Sequence, residues 1–399
     1  MLHRIRPSVI AMSLVLASSS VLAAKPAAKP AAKQAAVQPA ADFELAHNLG
    51  QGEAQLQAVI DRFNKENSGN LKLVRIEKGG KPAGLNLMRR YDMSEVLAQP
   101  KAFIPLQDMM SKAGQPLKVA DLSADLKAGV VDGKGRLVAL PLIYSTPVLF
   151  YNKNALRKAK LDPEQAPKTW FEMQGILDKL QDAGYTCPYT TSWPVWVHVD
   201  NVSAVSGVPA VTGKGALTFN GLPQVKHIAM MATWSKANYF RLFGRRNEAS
   251  QKFIDGECAM ITTDSREHID FLEAKGVELG VAPLPYHDDV YGGRQHTLAD
   301  GASLWVGAGK SAAEYKQAAK FVSFLLSPEM QIELVRVYGG LPLTPAARAA
   351  SRSKILQDGD RTLEVAYASM KGRGATSLPH VADADPVRII ADEELEAVW

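Results

Sequence analysis

Trp193-Pro-Val-Trp196 sets two indoles within four positions, among Thr, Ser and Pro. An indole face suits the C–H surface of a polyol or sugar; the alternative is packing against the following helix. Arg388 precedes the acidic run Asp392-Glu-Glu-Leu-Glu396. Its guanidinium could hold a phosphate or carboxylate through two parallel hydrogen bonds, or pair with that acidic turn. His287, Asp288, Asp289 and His296 are ligand types for Zn²⁺ or another divalent ion. They flank Gly292-Gly293, so a solvated loop is favoured over a metal site. Motifs for bond chemistry are missing: there is no Gly-x-Ser-x-Gly elbow, Walker loop, His-Glu-x-x-His or Cys-x-x-Cys. Gly50-Gln-Gly52 and Gly372-Arg-Gly374 lack the third glycine of a dinucleotide site and read as turns. The residues point to binding without a metal or other cofactor.

The elements that must carry these residues alternate. Phe43 to His47 reads as a strand. Leu56, Val59, Ile60 and Phe63 recur at helical spacing, and Leu71 with Leu73 suggests the next strand. That rhythm implies a parallel or mixed sheet covered by helices. Thr169-Trp-Phe-Glu172 and Ser311-Ala-Ala-Glu314 are capping boxes, in which a hydroxyl and a carboxylate each satisfy an orphan amide. Gly184 can stop the helix that Thr169 opens. Ser327-Pro328 opens another helix, and Leu222-Pro223 a fourth. Strands ending at Ser145-Thr146 and Thr263-Asp264-Ser265 place small polar groups where open α/β sheets gather ligands.

The chain of 399 residues opens with Arg4 and Arg6, a short apolar run from Val9 to Val21, and Val21-Leu22-Ala23. This reads as a cleaved signal peptide, residues 1–23, since the run is short of the roughly 20 residues of a membrane span. Residues 24–41 hold Ala, Pro, Lys and Gln, with Val37 the only larger apolar side chain, and read as a tether. The five basic residues of this region meet no acid, so the formal +5 of the whole chain leaves the body neutral. The basic balance therefore argues nothing for nucleic acid. The body exceeds what one core usually supports, and two lobes are expected. Cys187 and Cys258 are either a disulfide, which export allows, or two buried thiols.

Phe253-Ile-Asp-Gly-Glu-Cys-Ala-Met260 follows a Phe-x-x-Gly-x-x-Ala-Met pattern. Lys320 to Glu329 with Gly340-Leu-Pro342, Ser145 to Lys153, Pro223 to Met230, Gly301 to Val306 and Asp392 to Trp399 follow in order. These blocks resemble the extracellular solute-binding proteins of ABC importers, and within them the glycerol-3-phosphate-binding branch. The resemblance implies a periplasmic-binding-protein-like fold of two α/β lobes, each a mixed sheet flanked by helices, with the ligand cleft at the hinge. The expected division is 42–145 with 263–308 for one lobe and 146–262 with 309–399 for the other. It implies a periplasmic monomer that performs no catalysis, takes a small ligand and docks on an inner-membrane permease. Ser145, Trp193, Trp196, Gly301 and Arg388 fall on positions that the family uses around its ligand.

Other positions depart. The family's first-lobe Tyr-Glu appears as Tyr91-Asp92, its second-lobe Ser as Asp264, and the Tyr of its Thr-Gly-Tyr-Leu-Pro as Gly340. An aromatic near Lys78 is gone. Two lost hydroxyls would weaken the grip on a phosphate by roughly 3–6 kcal/mol unless Asp92, Asp264 or a remodelled loop at Lys78 to Lys81 compensates, and a carboxylate at Asp264 would repel it. A sugar or polyol in the same fold is therefore the rival ligand. A degenerate copy serving as an envelope interaction module, and a hydrolase built on the His287 cluster, are the rival functions.

Overall fold

The structure is a computed structural model that describes residues 43–50, 52–77, 79–89, 99–208, 210–211, 216–290, 295–354, 360–371 and 384–399. The expected signal peptide and tether, and Asp92, lie outside the described residues.

Two mixed sheets organise the body. The first has the order β2-β1-β3-β11-β4, with β5 also on β11. Its strands are β1 (Phe43–His47), β2 (Leu71–Arg75), β3 (Leu85–Arg89), β4 (Phe103–Ile104), β5 (Ala139–Ser145) and β11 (Asp300–Gly307). β1 runs parallel to β2 and β3, while β11 is antiparallel to β3, β4 and β5. The second sheet has the order β10-β6-β9-β7-β8. It comprises β6 (Pro147–Asn152), β7 (Cys187–Thr191), β8 (Phe240–Arg241), β9 (Cys258–Asp264) and β10 (Leu279–Pro283). Here β9 is antiparallel to β6 and parallel to β7.

β5 and β6 are buried along their whole length, which is why Leu140-Pro-Leu-Ile and Val148-Leu-Phe read as continuous apolar runs rather than alternations. The period of two still sorts the faces of β6. Val148 and Phe150 enter the core that holds Leu85, Leu140 and Leu304, whereas Leu149 and Tyr151 enter a second core around Trp170, Met173 and Leu177. The helix termini follow the local chemistry. Thr169 accepts from the Glu172 amide, Ser311 and Glu314 form a reciprocal capping box, and Ser327 caps the helix begun by Pro328. Gly184 follows the helix Trp170–Asp182 with φ +90°, the left-handed turn that a glycine makes without strain.

Cys187 and Cys258 are joined by a disulfide. They are register partners on the parallel neighbours β7 and β9, so the bond ties the two strands whose far ends lead to Ser192 and Asp264.

β10 pairs with β6 in the second sheet, and the helix Ala312–Leu325 packs on β1 and on the helix Leu106–Lys112 of the first. We therefore propose lobe crossings at Thr146, between Pro283 and Asp300, and between the helices Pro328–Tyr338 and Thr362–Met370. The latter helix packs on β6 and β10. This moves residues 263–283 and 309–338 across the boundaries expected from sequence. A short, half-buried antiparallel strand such as Leu279–Pro283 carries too little pattern to announce its sheet.

Candidate ligand site

The first cluster forms where β5 passes into β6. Ser145, buried, closes β5 opposite Asp300, and Tyr144 lies opposite Gly301. A Cβ on Gly301 would fall 1.9 Å from the Ile143 carbonyl oxygen, so the close approach of β5 and β11 demands glycine there. Thr146 sits between the sheets with no exposed surface. Its hydroxyl lies 2.6 Å from the Thr297 hydroxyl and 2.8 Å from the Leu298 carbonyl, and its own carbonyl accepts from the Ser265 amide at 3.0 Å. Gly340 abuts the same strand, and the next amide, Leu341, donates to the Tyr144 carbonyl at 2.8 Å.

Asp264 ends β9 beside Pro147. Its carboxylate accepts from the Arg266 amide at 2.9 Å and from that guanidinium at 2.8 and 2.5 Å. The negative charge expected to oppose a phosphate is thus matched by Arg266 two residues on.

The second cluster grows from the end of β7. The Ser192 amide donates to the Thr262 carbonyl at 3.1 Å, and the chain then turns sharply. Trp193 takes φ +54°, a left-handed conformation that costs a bulky residue about 1 kcal/mol or more. A π-helical turn, Val195–Asn201, follows. Wide turns of this kind recur at functional sites because they redirect side chains. Trp196 is buried, and the indole N–H groups of both Trp193 and Trp196 are buried without an acceptor. Asp200, on the same turn, lies 3.6 Å from the Arg388 guanidinium, both side chains being nearly buried. Arg388 is therefore ion-paired with Asp200, and Asp392 of the acidic run lies close enough to feel its charge.

One side chain links the clusters. The Asn201 amide nitrogen donates to the Trp196 carbonyl at 2.9 Å, and its oxygen accepts from the Leu298 amide at 2.8 Å. Leu298 is the residue whose carbonyl holds Thr146. The sequence-predicted residues thus fall into two groups, Ser145 with Gly301 and Asp264, and Trp193 with Trp196 and Arg388, connected through Thr146, Leu298 and Asn201.

The histidine and aspartate cluster does not assemble. His287 is buried against His227, with Nε2 at 3.1 Å from the His227 Nδ1, while His296 turns to the Thr297 carbonyl. Asp289 pairs with Lys226. Among the described residues no group of three such side chains could hold a metal ion. The loop reading missed that both histidines are buried; packing against Trp170 withdraws His287 from solvent.

The family model for the bacterial extracellular solute-binding proteins matches residues 58–359. The chain belongs to this family. Among curated relatives, this solute-binding protein is 33% identical over 386 residues to the sn-glycerol-3-phosphate-binding periplasmic protein UgpB of Pectobacterium atrosepticum, covering 90% of this chain and 87% of that one. Solved structures share its fold. UgpB from Mycobacterium tuberculosis in complex with glycerophosphocholine matches with TM-score 0.70 and 18% identity, over 90% of this chain and 98% of that one. The substrate-binding protein Lmo0181 from Listeria monocytogenes in complex with cycloalternan matches with TM-score 0.73 and 18% identity, over 90% and 93%.

Three residues that pair with the candidate residues of this solute-binding protein carry little or no sign of it in the sequence. Arg266 was detectable as Asp-x-Arg, where an arginine can reach back to a carboxylate. Asp200 and Arg246 carried no local signal. Each meets its partner only through tertiary packing, Asp200 with Arg388 across 188 positions and Arg246 with Trp193 across the β7–β8 pairing.

Proposed function

We propose that this protein is the periplasmic substrate-binding component of an ABC importer, capturing glycerol-3-phosphate or a related glycerophosphodiester and handing it to an inner-membrane permease. Capture needs no bond chemistry, so we assign it no catalytic role. The observation that carries the reading is the turn at the end of β7, where a left-handed Trp193 and a π-helical turn hold two buried indole N–H groups without acceptors among the described residues, a lack that Trp170, Trp305 and Trp399 share without such a backbone. Orphaned buried donors call for a ligand rich in acceptor oxygens. Kinship with glycerol-3-phosphate-binding periplasmic proteins names the chemical class. In this reading the indoles cover the glycerol, Ser145 and the Gly301 backbone hydrogen-bond it, and Arg388, paired with Asp200, holds the turn that carries the indoles.

A neutral sugar is the second reading, and the Asp200–Arg388 pair favours it, since a guanidinium already holding a carboxylate has less to offer an anion. Titration calorimetry with sn-glycerol-3-phosphate, glycerophosphocholine and maltose separates the two. Binding of a phosphate ester is expected; binding of maltose alone would replace the first reading with the second. The expected export is checked by N-terminal sequencing of periplasmic protein, which should start near Ala24. Recovery of Met1 from a membrane fraction would contradict it.

A further inference from the structure

Three guanidiniums, Arg388, Arg245 and Arg246, act on Asp392 of the acidic run, and their environments differ. Arg388 is nearly buried beside Asp200. Arg245 is held by Glu396 at 2.5 Å and Glu393 at 3.9 Å. Arg246 is exposed, and among the described residues no carboxylate forms an ion pair with its side chain. Its guanidinium carbon instead lies 5.4 Å from the centre of the Trp193 ring. Glu248 is near, but its carboxylate accepts from the Arg246 main-chain amide. Asp392 is shared: burial pushes its carboxyl up, against the pull of Arg388, Arg246 and Arg245.

The placement of Arg246 is tied to that of Trp193. The Trp193 amide donates to the Arg246 carbonyl at 2.9 Å, so the left-handed turn of the tryptophan and the backbone of the arginine are set by the same bond. A guanidinium resting on an indole loses little freedom when it forms further hydrogen bonds, and it keeps its donor edge for a planar or tetrahedral oxyanion. The Trp193 ring under it, and Trp196 three residues on, carry N–H groups without acceptors among the described residues. These three groups present donors only.

We infer that Arg246, rather than Arg388, is the residue that makes this site prefer ligands with an anionic oxygen group over neutral ones. Arg388 spends its charge on Asp200 and holds the π-helical turn in place. Arg246 remains for the phosphate of a monoester or diester, stacked on Trp193. This assignment rests on the ligand-binding reading of the Trp193 wall, and it adds which residue sets the charge preference.

The test uses the full-length mature protein with Arg246→Gln and Arg246→Lys, titrated with sn-glycerol-3-phosphate, maltose and inorganic phosphate. Thermal unfolding of each variant checks that the exposed side chain is dispensable for folding. Losing hydrogen bonds to a charged group should weaken glycerol-3-phosphate about tenfold to a hundredfold in Arg246→Gln. Arg246→Lys should recover part of that loss, and any maltose binding should stay within twofold. Glycerol-3-phosphate affinity unchanged in Arg246→Gln would overturn the inference while leaving the proposed function intact. If the wild type ignores glycerol-3-phosphate but binds inorganic phosphate, and Arg246→Gln abolishes that, the inference holds and the glycerol-phosphate reading falls. A wild type that binds maltose and neither anion overturns both.

Discussion

The sheet crossing and the Trp193 wall are built from neighbouring strand ends and treat their polar groups in opposite ways. At the crossing, Thr146, Thr297, Leu298 and Asn201 satisfy one another within 2.6–2.9 Å. At the wall, two indole N–H groups and one guanidinium find no acceptor or carboxylate among the described residues, on a backbone held in a left-handed turn. A buried unmet donor and a left-handed tryptophan cost stability, whereas the exposed guanidinium stays hydrated, and the strained turn sets these indoles apart from Trp170, Trp305 and Trp399, whose N–H groups also lack acceptors among the described residues. The difference predicts that polar deletions at the crossing harm folding and those at the wall harm binding.

The largest effect should come from acid, acting on a third paired network behind the wall. Tyr189 Oη lies 3.3 Å from His198 Nε2, His198 Nδ1 lies 2.8 Å from His227 Nε2, and His227 Nδ1 lies 3.1 Å from His287 Nε2. A neutral chain of imidazoles can point every N–H the same way; an added proton sets two donors against each other. Burial lowers His198 to about 3, and burial with Lys226 lowers His287 to about 4 against the opposing pull of Asp289 and Asp288. His227 is lowered well below its ordinary value by burial and by its two neighbours. Depressed basic groups bind fewer protons folded than unfolded, so their stability is complete above pH 6.5 and is lost as pH falls toward 4. Each contributes a slope of about 1.4 kcal/mol per pH unit. Denaturant unfolding at pH 7.5, 6 and 5 should show the decline, and a flat profile would mean that the imidazoles are open to protons when folded.

Next is the disulfide that joins the strands bearing the wall. Cys187→Ala with Cys258→Ala should cost about 2–5 kcal/mol, read as a lower denaturant midpoint, with ligand affinity falling as β7 and β9 loosen. Unchanged affinity would show that the wall needs no support from the bond. Asn201→Ala follows at about 2–4 kcal/mol, because it strands the Leu298 amide and the Trp196 carbonyl. A loss under 1 kcal/mol would mean that water replaces the side chain, and the crossing would not be the dry network described.

How much of this was legible in the sequence divides along the same line. The caps at Thr169 and Ser311 and the buried runs of β5 and β6 are local, and the sequence pattern located them, though only Ser311 closes the expected reciprocal box: the Glu172 carboxylate takes the Lys168 amide instead. The blocks of family likeness pointed to Ser145, Trp193, Trp196, Gly301 and Arg388 as candidates, but not to what each touches. The Cys187–Cys258 pairing was left open because nothing in a spacing of 71 says that β7 and β9 are neighbours. Asp264 looked like a charge aimed at the ligand until Arg266 was found against it. Arg246 was invisible because its partner stands 53 residues earlier and is reached only through sheet pairing and a left-handed turn.

The smallest effect gives the sharpest comparison. Trp193→Phe deletes one indole N–H and part of the ring while keeping an aromatic face for Arg246. At the crossing, deleting one polar side chain leaves partners stranded. At the wall the N–H has no partner among the described residues, so nothing there is stranded and one unmet buried donor is removed. Stability should therefore stay within about 0.5 kcal/mol of wild type. Affinity for the phosphate ester should fall about twofold to tenfold, the value of one neutral hydrogen bond of 0.5–1.5 kcal/mol. Paired unfolding and titration experiments read both quantities from one preparation. If Trp193→Phe lowers stability by more than 1 kcal/mol and leaves affinity alone, the indole N–H is serving the fold, and the wall belongs with the crossing rather than against it.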